Sequence, residues 1–287
     1  MRLAEIREEG APPDIAALYA ALRRATGVPL VNLIHRHLAT LPGVLPWVWQ
    51  AIRPPLEDGR LAAARERLAA ALPLPPVAPL PATAWRAAGL APEERPRIAA
   101  LVEVYNRGNL TNLILLTALR RTLEGVAAEV PPPSPSSATA LPPLAMLPAP
   151  PPLPRLEALP PEVAARVQAL AARHGPPGAG VTPSLYLHLA HWPALLAALP
   201  GWLAPLLEPV ALAAARDAAV RLAEREADAL RPLMAVEGGV PGSHGPAVLA
   251  VVTRFTREVI PGMVPVGLAL RRLLAPEASG GGKLTDP

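Results

Sequence analysis

The chain reads as an all-α protein made of two tandem homologous helical repeats that pack as a pseudo-dimer. Three observations predict this. Ala and Leu fill periodic segments, and no segment sustains the alternation of a β-strand. A proline-rich stretch divides the chain: from Pro131 to Pro161, thirteen of thirty-one residues are proline. Lacking backbone donors and favouring extended geometry, it reads as a semi-rigid spacer. The flanks of that spacer repeat each other. Pro12-Pro13-Asp14-Ile15 returns as Pro160-Pro161-Glu162-Val163 at an offset of 148. Three further matches share an offset of 151: His37-Leu38-Ala39 with His188-Leu189-Ala190, Leu61 to Glu66 with Leu212 to Asp217, and Ala118 to Arg121 with Ala269 to Arg272. Three matches in one order at one offset point to a duplication, about 12–123 and 160–274. The predicted organisation is repeat one at 1–129, linker at 130–159, repeat two at 160–276 and a disordered Gly-rich tail at 277–287.

Each element has a local reason. Pro12-Pro13-Asp14 opens a helix through Arg24 that turns at Thr26-Gly27, and Pro29 suits the first position of a second helix ending before Pro42. Leu45 to Ile52 makes a short helix bearing Trp47 and Trp49, Gly59 to Leu72 an amphipathic one, and Thr83 to Gly89 a brief one. Ala91-Pro92-Glu93-Glu94 starts the longest helix, through Leu123. The second half predicts helices over Pro161–Arg173, Pro183–Ala198 and Leu203–Leu230, then Val248–Ile260 broken at Pro261-Gly262, and Gly267–Leu274.

Composition narrows the chemistry. At 287 residues, 51% apolar and 17% charged, the chain can bury a large core. It has no cysteine, which excludes disulfides, thiolate metal sites and a cysteine nucleophile and fits a cytoplasmic protein. The net charge of +4 would suit nucleic acid, but the arginines alternate with acids, as in Arg65-Glu66-Arg67, so a solvated helix face is expected rather than a nucleic-acid surface. Met1 to Gly10 carries three glutamates and no apolar core, unlike a secretory signal. The run from His174 to Leu207 has no charged residue, yet Pro183, Pro193, Pro200 and Pro205 cut it; buried helices are expected there, not a membrane span.

Two stretches are chemically unusual. Tyr105-Asn106-Arg107-Gly108-Asn109-Leu110-Thr111-Asn112 is a polar run within an apolar helix, where each buried amide needs a partner. It reads either as a polar seam between helices or as a binding surface. In the second, Thr182 is a candidate cap and Pro183 a candidate first helical residue, leaving free amides at Ser184 and Leu185 that would suit a carboxylate. Ser184, His188 and His191 share one face of that helix. The 151 offset makes His37 the counterpart of His188, so the pair would meet near a two-fold axis as metal or haem ligands or as a proton relay. The structural alternative is two core or interface histidines. His35 and His37 point to different sides of their helix. No phosphate loop, nucleophile elbow or zinc-protease motif occurs.

Taken together, the two repeats, the proline-rich connector, Tyr105-Asn106-Arg107-Gly108-Asn109 leading into Leu115 to Leu119, Leu38 to Gly43, and Leu189-Ala190-His191-Trp192-Pro193 resemble the DehI-type group I 2-haloacid dehalogenases. The resemblance implies a cofactor-free hydrolysis in which an aspartate activates water to displace halide from the α-carbon of a 2-haloalkanoic acid. It implies a site between the repeats, with the helpful asparagine on Asn109 and a serine on Ser184. The aspartate position, however, falls on Leu185, two aromatic pocket positions on Leu30 and Leu33, and a tyrosine position on Val252. Tyr105 and Asn112 complete the expected substrate surface. The expectation is a pocket turned aliphatic that has lost its base, with His188, paired with Asn109, the first substitute and His37 or Glu103 behind it. A small carboxylic acid is the expected ligand, nucleic acid and membrane are not expected partners, and a homodimer is allowed.

Overall fold

The structure, a computed structural model, describes residues 3–126, 144–175 and 182–276. Within them the chain is all-helical, with thirteen α-helices and no strand. The first part of the predicted linker, at 130–143, and the tail at 277–287 lie outside the described residues.

Helix α1 (Pro13–Thr26) begins on a proline, carries Asp14 in its first turn and Arg23 and Arg24 in its last, and ends where Gly27 takes a left-handed φ of 63°. Helix α2 (Leu33–Leu38) starts later than Pro29, because the Asn32 side chain accepts the Ile34 amide and makes Asn32 the cap. Helix α3 (Val44–Glu57) runs past the predicted end at Ile52 and through Pro54 and Pro55. Its apolar stripe of Leu45, Val48, Ile52 and Leu56 continues into the core, and the prolines fall in the final turn. Helices α4 (Arg60–Ala71) and α5 (Ala82–Ala87) follow, then α6 (Glu94–Leu123), whose thirty residues span about 45 Å at the standard rise.

In the second half α7 (Pro161–Ala171) continues into a short 3₁₀ turn. The predicted helix over 183–198 is two helices, α8 (Ser184–Leu189) and α9 (Pro193–Trp202), since Pro193 lacks the amide to continue the first and suits the start of the second. Pro183 is the cap of α8 rather than its first residue, and no side chain caps it. A break before Pro209 likewise divides α10 (Ala204–Leu207) from α11 (Pro209–Leu230). The opposite happens at Pro261-Gly262. Instead of a break, α12 (Gly245–Arg254) passes through a π-helical turn at Phe255–Val259 directly into α13 (Ile260–Leu274), the wider turn accommodating the proline that follows it. Helices α2 and α8 lie 151 residues apart at both ends, and the same interval separates the start of α6 from that of α12 and the end of α6 from that of α13.

Two hydrophobic cores form, and neither follows the predicted halves. The first gathers α1 to α4 and Leu110 to Leu119 of α6, but also Ala218, Ala219, Ala223 and Leu230 of α11, α12, and Ile260, Val264 and Leu268. The second gathers α7 to α10 and the end of α13, but also Trp85 of α5 and Ile98, Leu101 and Val102 of α6. The long helices therefore serve both cores and cross between them. At the crossing of α6 and α13, Asn106 donates from Nδ2 to the Gly267 carbonyl at 3.1 Å. A Cβ on Gly267 would collide with Asn106 Oδ1, so glycine is what permits this approach.

Candidate functional site

Beside that crossing lies a cavity of about 700 Å³. Its wall is built from the N-terminal segment (Leu3 to Glu9), the turn and start of α2 (Val28 to Arg36), the polar run of α6, the proline segment Pro150 to Glu157, the start of α8, and the π-turn with α13. Of the residues expected at a site, Leu30, Leu33, Tyr105, Asn109, Asn112, Ser184, Leu185 and His188 all line it. Val252 does not: it is fully buried in the first core, and Phe255 and Val259 of the next turn reach the cavity instead.

Tyr105, Asn109 and Asn112 share a face of α6 because they recur at helical spacing. Tyr105 meets His188 of α8, its hydroxyl 2.5 Å from Nδ1. The tautomer follows from the other ring nitrogen. His188 Nε2 lies 2.9 Å from the Pro151 carbonyl, which only accepts, so Nε2 carries the hydrogen and Nδ1 accepts from Tyr105. Both nitrogens of His188 are thus engaged. Burial pulls its pKa down to about 4, with the Pro151 bond opposing and neighbouring His191 reinforcing the shift. Burial pushes the Tyr105 phenol well up, with Arg36 and a hydrogen bond from Ser184 pulling the other way. The pair is a neutral, closed unit rather than an ionised one.

His37 is not part of this arrangement. Its Nδ1 bonds the Ala4 carbonyl at 2.8 Å, it does not line the cavity, and no contact joins its ring to that of His188. The expected His37/His188 pair is corrected: the preceding helix α2 presents its other histidine, His35, to the cavity. The spacing of two residues already turned His35 and His37 apart; the repeat offset favoured the wrong one. His191 bonds the Pro152 carbonyl at 2.9 Å instead of lining the cavity. Among the described residues no group of three or more His, Cys, Asp or Glu side chains comes together as a metal site.

The proline segment was expected only as a spacer. Its described part, 144–155, forms no helix or strand, and from Pro150 onward it walls the cavity; it is held by Arg107 to the Ala145 carbonyl (2.9 Å), by the Leu147 amide to the Gly27 carbonyl (3.0 Å), and by the two histidines. Extended proline-rich backbone leaves its carbonyls without internal partners, and that is the signal in the sequence for such a role.

His35 and Arg36 were also missed as site residues. Arg36 Nε pairs with Glu5 at 2.8 Å, and Glu8 pairs with Arg23 and accepts the Val31 amide at 3.0 Å, so these two cavity carboxylates are already engaged. His35 is only 4% exposed, and its Nε2 lies 2.7 Å from Asn112 Oδ1.

No protein-family model matches the chain, and no curated protein matches it. Solved structures do. A D-2-haloacid dehalogenase mutant superposes with a TM-score of 0.77 at 18% identity, covering 96% of each chain. A D-2-haloacid dehalogenase mutant in complex with D-2-CPA gives 0.76 at 19%, again with 96% of each chain covered. A D-2-haloacid dehalogenase in complex with L-LA gives 0.77 at 19%, covering 96% of this chain and 97% of that one. The chain thus has the all-helical fold of the D-2-haloacid dehalogenases over 96% of its length. Among the described residues no helix is long and apolar enough to cross a membrane.

Proposed function

We propose that this chain is a divergent member of the 2-haloacid dehalogenase family, a cytoplasmic, cofactor-free protein made by tandem duplication of a helical unit. Its cavity is kept for a small, largely apolar carboxylic acid, while the family's water activation by aspartate is lost. The full-length likeness in fold supports the family, and the recurrence of element boundaries at an interval of 151 residues supports the duplication. Asn109 and Ser184 in the cavity wall support the retained site.

The observation that carries the loss is Leu185. It is 1% exposed, lies in the cavity wall and packs in the second core, so the position that should hold a base holds an aliphatic side chain. Removing a positioned base costs about a hundred-fold to ten-thousand-fold in rate. Among the neighbouring groups both ring nitrogens of His188 are engaged and Glu5 and Glu8 are paired, while Glu9 and Glu157 are the other carboxylates in the cavity wall.

Halide release from D- and L-2-chloropropionate tests this. The natural protein should release halide at least about a hundred-fold more slowly than a Leu185→Asp variant. Rapid release by the natural protein, or equal rates in the two, would overturn the reading of Leu185.

A further inference from the structure

His37 lies outside the cavity, yet it fastens part of the cavity's wall. It donates from Nδ1 to the Ala4 carbonyl at 2.8 Å. His188, 151 residues further on, donates from Nε2 to the Pro151 carbonyl at 2.9 Å. Helices α2 and α8 recur at that same interval, so the corresponding residue of each holds a non-helical segment, and both segments, Leu3 to Glu9 and Pro150 to Arg155, contribute to the wall. In the first segment Leu3, Glu5, Arg7, Glu8 and Glu9 line the cavity, whereas Ala4 and Ile6 do not. The backbone bonds fall on the two residues turned away: besides the His37 bond to Ala4, Tyr19 donates to the Ile6 carbonyl at 2.8 Å and the Ile6 amide to the Arg36 carbonyl at 3.0 Å.

We propose that residues 3–9 form a strap over the cavity with His37 as its latch, and that a ligand enters when this strap, rather than the proline segment, lifts. The two segments differ in what release disturbs. His188 is 1% exposed and its other ring nitrogen is held by Tyr105, so freeing Pro151 breaks into a buried pair. The bond between His37 and Ala4 lies at the surface, where water replaces a lost partner at little cost. The charged side chains of the first strap also gain hydration when it lifts. Their ion pairs, Arg36 with Glu5 at 2.8 Å, Arg7 with Glu5 at 3.5 Å and Arg23 with Glu8, are part-exposed, and such pairs contribute modestly. Leu3 and Ile6, half-buried against the first core, draw the strap back down. Closed and lifted states are thus separated by a few weak surface bonds and two apolar anchors.

The chain has no cysteine, so a single introduced thiol reports access to the cavity without interference. Ser184→Cys places one in the cavity wall, Val210→Cys on the surface at a position 83% exposed, and Val252→Cys in the first core away from the cavity. Each full-length variant is treated with iodoacetamide near pH 8, and the sulfur–carbon bond formed as iodide leaves is followed by mass spectrometry. Ser184→Cys should react at least about ten-fold more slowly than Val210→Cys, because labelling waits on the lifted state. Adding His37→Ala should speed it at least about three-fold, since removing one bond multiplies the lifted population by that bond's contribution however many others remain. Adding His191→Ala, which frees the Pro152 carbonyl, should leave the rate unchanged. Tyr19→Phe, which removes the donor to Ile6, should act like His37→Ala and replaces it should that variant fail to fold. Val252→Cys should not respond to either change.

A Ser184→Cys thiol that reacts as fast as Val210→Cys would overturn the strap, because the cavity would then be open without it. Indifference to both His37→Ala and Tyr19→Phe would overturn the latch. Acceleration by His191→Ala alone would make the proline segment the gate, and equal acceleration at Val252→Cys would mean general loosening; either result rejects the proposal.

Discussion

Tyr105 and His188 close on each other at 2.5 Å, the phenol donating to Nδ1, and thereby tie the polar run of α6 to the short helix α8. Tyr105→Phe keeps the ring and removes the donor, leaving a buried Nδ1 unsatisfied. It should destabilise the protein by about 1–3 kcal/mol, read as a shift of the urea midpoint at unchanged slope. A cost below about 0.5 kcal/mol would show that the bond is not maintained in solution.

Gly267 and Asn106 set the distance between α6 and α13. Gly267→Ala adds one methyl where Asn106 Oδ1 stands, and should cost about 1–3 kcal/mol by overpacking. Adding Asn106→Ala should relieve part of that cost, a coupling that a double-mutant cycle of melting experiments would detect. Simple additivity of the two changes would refute the contact.

Arg120 is completely buried, with Glu224 at 2.7 Å and Glu124 at 3.1 Å, whereas its counterpart in the repeated motif, Arg271, is exposed. Arg120→Ala removes a fully buried partner of those acids and opens a void, and should cost about 3 kcal/mol or more in denaturant unfolding. Arg271→Ala should stay within about 0.5 kcal/mol.

Burial holds His35, His174 and His188 near pKa 4, against an ordinary value of 6.5. Above about pH 6.5 they are neutral folded and unfolded alike; between 6.5 and 4 the unfolded chain binds protons that the folded one refuses. Stability therefore falls as pH falls through that window, by an order of 3 kcal/mol for a fully buried ring such as His35. Urea titrations at stepped pH should show it. His174→Gln should flatten the slope by about one proton, and an unchanged slope would contradict the assignment.

Much of this was legible locally. The polar run at 105–112 and the start of α8 were singled out by composition alone, because asparagines and a charge-free histidine helix are costly without partners. Helix ends governed by a proline or glycine at the start or finish, as in α1 and α7, were read closely. Those governed by tertiary packing were not: α3 runs through two prolines, and the π-turn before Pro261 carries its helix onward where a break was expected. Val252 of α12 lies in the core, while Phe255 and Val259 of the π-turn that follows reach the cavity instead.

The sequence by itself determined the helical class, the motifs that recur at an offset of 151 and the aliphatic residue at position 185, because periodicity, offset and residue identity are properties of the chain. Only the tertiary structure decided that the proline segment walls the cavity, that His35 rather than His37 faces it, and that each core draws on both halves. Those outcomes depend on which face of a helix meets which neighbour, and on where a carbonyl or ring nitrogen ends up without water. Such contacts join residues as far apart as Tyr105 and His188, or Asn106 and Gly267, and no local pattern encodes them.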